Sequence, residues 1–72
     1  MDLPKREKIL IRILKQCGLM KDEAVAIAFT THNSPDAQWD LLDWFQDCLE
    51  IDGRLPAKDQ VFQALKLIEK AA

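Results

Sequence analysis

Apolar side chains recur in this chain at the three- and four-residue spacing of an α-helix, and this spacing is the strongest constraint on its fold. Leu10 and Leu14 follow it in the first third of the chain, and Val61, Leu65 and Ile68 follow it in the last third. No stretch alternates between apolar and polar residues for long enough to predict a strand. The pattern therefore predicts an all-α protein.

Residues that begin and end helices divide the chain into four segments. Pro4 suits a first helical turn, Ser34 and Pro35 suit an N-cap and the position after it, and Gly53 suits a helix end. Residues 24–29 are all apolar, which predicts a central position for the second segment. We predict one domain, residues 1–72, that forms a compact bundle of four short amphipathic helices at residues 4–17, 21–31, 35–51 and 57–70.

Length and composition narrow the class of protein further. A chain of 72 residues has room for one domain, and 49% hydrophobic with 31% charged residues is too apolar for disorder and too charged for a membrane protein. The longest strongly apolar run, residues 9–14, contains Arg12 and is far shorter than the roughly 20 residues that span a bilayer. The basic start lacks a signal-peptide cleavage pattern, so we expect a cytoplasmic protein without membrane contacts.

The residues that usually carry catalysis or bind metals are few. Cys17, Cys48 and His32 cannot fill a zinc site of the usual four-ligand kind, and Ser34 is expected to cap a helix. The chain also has no glycine-rich phosphate loop and no metal-binding histidine pair. We therefore expect no enzymatic activity, no cofactor and no metal, and we expect the two cysteines to be reduced rather than disulfide-bonded.

The third predicted helix carries five carboxylates on one stripe, which we call the acidic face. They are spaced four, three, four and three residues apart, so like charges on adjacent turns repel each other by roughly 0.2–0.5 kcal/mol per pair. Such a stripe is typical of a solvated helix face or of a surface that binds a basic partner, whereas carboxylates spread along one helix do not converge on a metal ion. The five residues are Asp36, Asp40, Asp43, Asp47 and Glu50.

Trp39 flanks the acidic face and lies roughly 150° around the helix from the centre of its apolar side. Two hypotheses follow for this residue. It either folds back onto the second helix or the loop at residues 30–33, or it is an exposed anchor that fills a pocket on a partner. Trp44 falls on the apolar side of the same helix, and we assign it to the core.

The first predicted helix carries the opposite charge on a stripe that we call the basic face. Residues 1–21 contain six Lys or Arg against two acids, a net charge of +4, and residues 22–72 contain four against ten, a net charge of −6. The acidic and basic faces are therefore expected to pair, either across the fold or between two copies, and a homodimer is one expectation. The basic face comprises Lys5, Lys8, Arg12 and Lys15.

These features predict a small intracellular protein–protein interaction module, an adaptor, regulator or inhibitor that binds another protein through the acidic face and Trp39. The partner is expected to present a basic surface. The alternative is a small nucleic-acid-associated regulator that uses the basic face. Nucleic acid is the weaker hypothesis, because a helix-turn-helix built from the second and third helices would set five carboxylates against phosphates.

Overall fold

Four α-helices follow one another along the described part of the chain, residues 3–71, joined by short turns. The computed structural model describes the backbone of residues 3–71 and the side chains of residues 3–67. The all-α fold with four helices is confirmed, and each observed boundary lies within one residue of its predicted position. No helix in this range is long and apolar enough to cross a bilayer. The helices are α1 (Lys5–Gln16), α2 (Lys21–Thr30), α3 (Pro35–Asp52) and α4 (Lys58–Ala71).

The core lies where α1 meets α2 and α3. Leu10 and Leu14 of α1 are fully buried, and they belong to the same cluster as Leu41 and Phe45 of α3 and Val61 of α4. Full burial of one such side chain contributes roughly 1.5–3 kcal/mol to the free energy of folding, so these few residues supply a large part of the stability of this small domain. The predicted stripe of α4 continues to residue 68, whose side chain lies outside the described residues.

The central helix of the fold is α1, whereas the sequence predicted α2 for this position. The main helix–helix contacts join α1 to α2 and α1 to α3. In α2 only one side is buried, at Ala24, Ile27 and Ala28, and Phe29 on another side is 65% exposed. The prediction was wrong because an evenly apolar helix does not mark which side meets the core, and small alanines leave little area to bury.

Side chains three residues after the N-cap hold the beginnings of α2 and α4. The Met20 backbone N–H donates to Glu23 Oε1 over 3.0 Å, and the Ala57 N–H donates to Gln60 Oε1 over 3.0 Å. Glu23 also pairs with Lys58 Nζ at 3.0 Å, which ties the start of α4 to the start of α2. The Met20 hydrogen bond, followed by the Lys58 contact, holds the pKa of Glu23 below its ordinary value.

Backbone groups, rather than side chains, begin α1 and α3. Ser34 is the N-cap residue of α3, as predicted. Its carbonyl accepts from the Gln38 N–H at 3.3 Å, and its hydroxyl makes no capping hydrogen bond. Pro4 precedes the first turn of α1, and its carbonyl accepts from the Glu7 N–H at 3.0 Å. Gly53 ends α3 with φ of 71°, the left-handed conformation that glycine adopts without steric cost.

Candidate functional site

The acidic face lies on the solvent side of α3, because Leu41 and Phe45 on the opposite side are held in the core. All five of its carboxylates are exposed. Within the part of the chain that the structure describes, none of them forms an ion pair, and Glu50 accepts one hydrogen bond, at 3.3 Å, from Gln46 of the same helix. The acidic face therefore presents five exposed charges, without an ion-pair partner among the described residues, along one side of α3.

Trp39 is 52% exposed, which places half of a large aromatic side chain in solvent beside these carboxylates. Trp44 of the same helix is half-buried, with its ring centroid 5.4 Å from that of Phe45. The difference follows from helical geometry, since five residues rotate a side chain by roughly 140° around the axis. One tryptophan thus packs on the core and the other offers apolar area at the surface.

The basic face occupies the side of α1 that points away from the core, and its four cationic residues are all exposed. Two isoleucines border it, Ile9 at 39% exposure and the half-buried Ile11. Long side chains around Ile11 border a shallow, open depression of about 390 Å³. It is lined by Lys8, Ile11, Arg12, Lys15 and Gln16.

The two charged faces do not meet within one copy of the chain. The buried residues of α1 and α3 turn towards a common core, so the charged sides of both helices turn away from it. The ion pairs formed by the described residues use Glu7 and Glu23, and none joins the acidic face to the basic face. The structure therefore lacks the predicted pairing across the fold.

A buried polar cluster that the sequence did not lead us to predict joins α1 to α3. Glu7 is 1% exposed and Gln38 is fully buried. Gln38 Nε2 donates to Glu7 Oε1 at 3.3 Å, to Thr31 Oγ1 at 3.0 Å and to the Ala28 carbonyl at 3.2 Å. The cluster thus connects α1, the end of α2 and the first turns of α3.

The side chains of Arg6 and His32 complete the cluster on its solvent side. Arg6 Nε donates to Gln38 Oε1, and its Nη2 lies 4.0 Å from Glu7 Oε1. His32, whose side chain is 52% exposed, donates through Nδ1 to Glu7 Oε1. Burial favours the neutral acid and by itself raises the pKa of Glu7, but the hydrogen bonds from His32 and Gln38 and the charges of His32 and Arg6 outweigh it. The net effect is a pKa below the ordinary value.

A signal for this cluster is present in the sequence. Glu7 precedes two core leucines of α1 by three and seven residues, and Gln38 precedes Leu41 and Phe45 of α3 by the same intervals. Each helix thus has one polar residue at a core position of its stripe, and buried polar groups need partners. No buried side-chain nitrogen or oxygen among the described residues lacks a hydrogen bond. The cluster therefore fixes the position of α3 on α1.

Cys17 and Cys48 are free thiols, the first buried and the second half-buried. Burial raises the pKa of the Cys17 thiol, and the nearby Cys48 adds to the effect. Burial also raises the pKa of Cys48, with Asp52 and Asp47 contributing. A raised pKa keeps both in the unreactive thiol form at neutral pH. No group of three or more potential metal ligands comes together in the described part of the chain.

No family model, curated protein or solved structure matches this chain. Its fold and surface define it as a small all-α domain that carries an acidic face on α3 and a basic face on α1.

Proposed function

We propose that this chain is a small protein–protein interaction module, acting as an adaptor, regulator or inhibitor, which binds a basic protein surface through the acidic face and Trp39. The observation that carries the proposal is the half-exposed indole of Trp39 beside exposed carboxylates that have no ion-pair partner among the described residues. Tryptophan is enriched among the few residues that dominate binding energy at interfaces.

The two parts of this surface contribute differently to binding. Trp39 supplies rigid apolar area, which contributes affinity when a partner's pocket excludes water from it. The five carboxylates supply a negative field that speeds association with a cationic surface and disfavours acidic partners. A partner's cations would also relieve the repulsion between carboxylates on successive turns of α3.

The buried cluster supports the proposal because it restrains the first turns of α3, which carry Trp39. Trp39 and Asp40 directly follow Gln38, whose amide is hydrogen-bonded to α1 and to the end of α2. A side chain presented by an anchored helix loses less conformational freedom on binding than one on a mobile loop. The proposed binding surface is therefore preorganised at the end that carries Trp39.

We place the module in the cytoplasm. The two free cysteines, one of them buried, support this assignment, because reducing compartments keep thiols unpaired whereas small secreted domains commonly use disulfides. We also propose that it acts by binding rather than by catalysis.

The test is a nuclease-treated pull-down from the native lysate with mass spectrometry, comparing the wild type with a Trp39→Ala, Asp43→Lys double variant. A matched control, Leu67→Ala with Asp59→Lys, replaces an exposed apolar residue and an exposed aspartate on α4 instead. We expect a protein partner that the wild type and the control retain and that the double variant loses.

Two results would contradict the proposal. If the double variant retains every partner of the wild type, the acidic face and Trp39 are not the binding surface. If nuclease treatment removes every specific partner, the basic face and nucleic acid become the better explanation, and Lys8→Glu with Arg12→Glu should then abolish a salt-sensitive affinity for DNA or RNA.

A further inference from the structure

We infer that a second copy of this chain is a partner of the acidic face, and that the acidic face of one copy docks on the basic face of the next with Trp39 in the depression around Ile11. This inference rests on the proposed function, because it names an occupant for the same surface. The structure offers both halves of such a contact on one chain, four exposed cations on α1 and five exposed carboxylates on α3.

The two faces match in spacing as well as in sign. The cations are three, four and three residues apart and the carboxylates four, three, four and three, so both rows place about one charge on each helical turn. At about 1.5 Å per residue the basic face is about 15 Å long and the acidic face about 21 Å. Two helices lying side by side can therefore set opposite charges against each other turn by turn.

The depression on α1 has the chemistry that suits Trp39. Ile11 supplies an apolar contact, and Lys8 and Arg12 supply cations at the edge of the same depression. Cations are attracted to the face of an indole ring, and Arg stacks on it through a planar group. An indole in this position would be covered by apolar and cationic groups, while the flanking carboxylates meet the remaining cations.

The contact can form only between copies, since the two faces turn away from each other within one fold. It joins two different surfaces and is therefore heterologous. Each added copy leaves one acidic and one basic face free, so association either closes into a ring or continues as a chain. Exposed charge pairs are screened by salt, so association should weaken about tenfold or more between low ionic strength and about 0.5 M salt.

The experiment uses two variants of the full chain, each with one face altered. The acidic-face variant carries Trp39→Ala, Asp40→Asn and Asp43→Asn, and the basic-face variant carries Lys8→Glu and Arg12→Glu. All five positions are exposed, and circular dichroism checks that both variants retain the wild-type helix content. Sedimentation equilibrium at low salt then gives the mass of the wild type, of each variant and of their equimolar mixture.

We expect the mass of the wild type to rise with concentration and each variant alone to remain monomeric. The mixture should form a 1:1 heterodimer and grow no further, because it has one intact acidic face on one variant and one intact basic face on the other. A wild type that stays monomeric up to millimolar concentration overturns the inference, as does a mixture no heavier than its components.

A failure of self-association can be distinguished from a failure of the proposed function. A monomeric wild type that still retains a Trp39-dependent protein partner in the pull-down leaves the interaction module intact and removes only self-association. If the pull-down also fails, the acidic face has no role in binding and both proposals are wrong.

Discussion

Gln38→Ala should destabilise the fold far more than the same substitution at Gln46 of the same helix. Gln38 is fully buried and hydrogen-bonds Arg6, Glu7, Thr31 and the Ala28 carbonyl. Gln46 is exposed and bonds only the exposed Glu50, at 3.3 Å. The pair is a matched test because helix propensity changes equally at both positions.

The magnitude follows from the groups that lose a partner. A hydrogen bond to the charged Glu7 contributes roughly 1.5–3 kcal/mol, and a second, neutral bond of the amide contributes about 1 kcal/mol. The alanine also leaves space in a packed interior. We expect Gln38→Ala to lower the free energy of unfolding by about 3 kcal/mol and Gln46→Ala to change it by less than about 0.5 kcal/mol.

Urea denaturation followed by far-ultraviolet circular dichroism measures both values, provided that the dependence on urea is the same in the two variants. In a domain of this size the Gln38 change should also lower the melting temperature by more than about 10 °C. If the two variants differ by less than about 1 kcal/mol, the buried cluster does not hold α3 on α1, and the preorganisation of the binding surface loses its basis.

Three further predictions test other parts of the structure. The pKa of Glu7 in the fold lies below its ordinary value of about 4.3, so the stabilisation by its carboxylate is present at neutral pH and is lost as the pH falls below about 4. The difference in urea midpoint between the wild type and Glu7→Gln should therefore shrink from about pH 7 to about pH 3. A constant difference would contradict this prediction. Two variants each keep one tryptophan, Trp39 in Trp44→Phe and Trp44 in Trp39→Phe. The fluorescence of Trp39 should lie at longer wavelength and be quenched more strongly by acrylamide than that of Trp44, because Trp39 is half-exposed. Equal quenching would show that Trp39 is covered. Leu10 is fully buried and Leu67 is exposed, so Leu10→Ala should lower the free energy of unfolding by about 2–5 kcal/mol and Leu67→Ala by less than about 0.5 kcal/mol. If urea denaturation gave similar losses for the two variants, the core would lie elsewhere.

Helix positions were predictable because their causes are local. The boundary at residues 34–35 is set by a proline that fits the first helical turn, and the end of α3 by Gly53 at positive φ. Exposure of the acidic face was also predictable, since five carboxylates on one stripe cannot be buried without partners. The prediction of Ser34 as the N-cap residue of α3 was confirmed, but its hydroxyl makes no capping hydrogen bond, because the position alone does not decide which group of the residue makes the contact.

The exposure of Leu49 and Ile51, in contrast, was not predictable from the sequence. Both fall on the apolar side of α3 by periodicity, yet they are 50% and 80% exposed. The core that α3 meets is centred on Leu41 and Phe45, which lie nearer to its beginning. Periodicity assigns a residue to a side of a helix, but only the packing of neighbouring helices decides how far along that side the core extends.

The sequence by itself therefore determined the fold class, the four helices and the two charged stripes, because turn chemistry and helical spacing act over a few residues. Tertiary structure alone decided that α1 is central, that Trp39 stays half-exposed and that the two charged faces turn away from each other. It also brought Glu7 to Gln38, residues 31 positions apart in the chain. Such pairing depends on how helices pack, and the energy of a buried polar group depends on the partner that packing supplies.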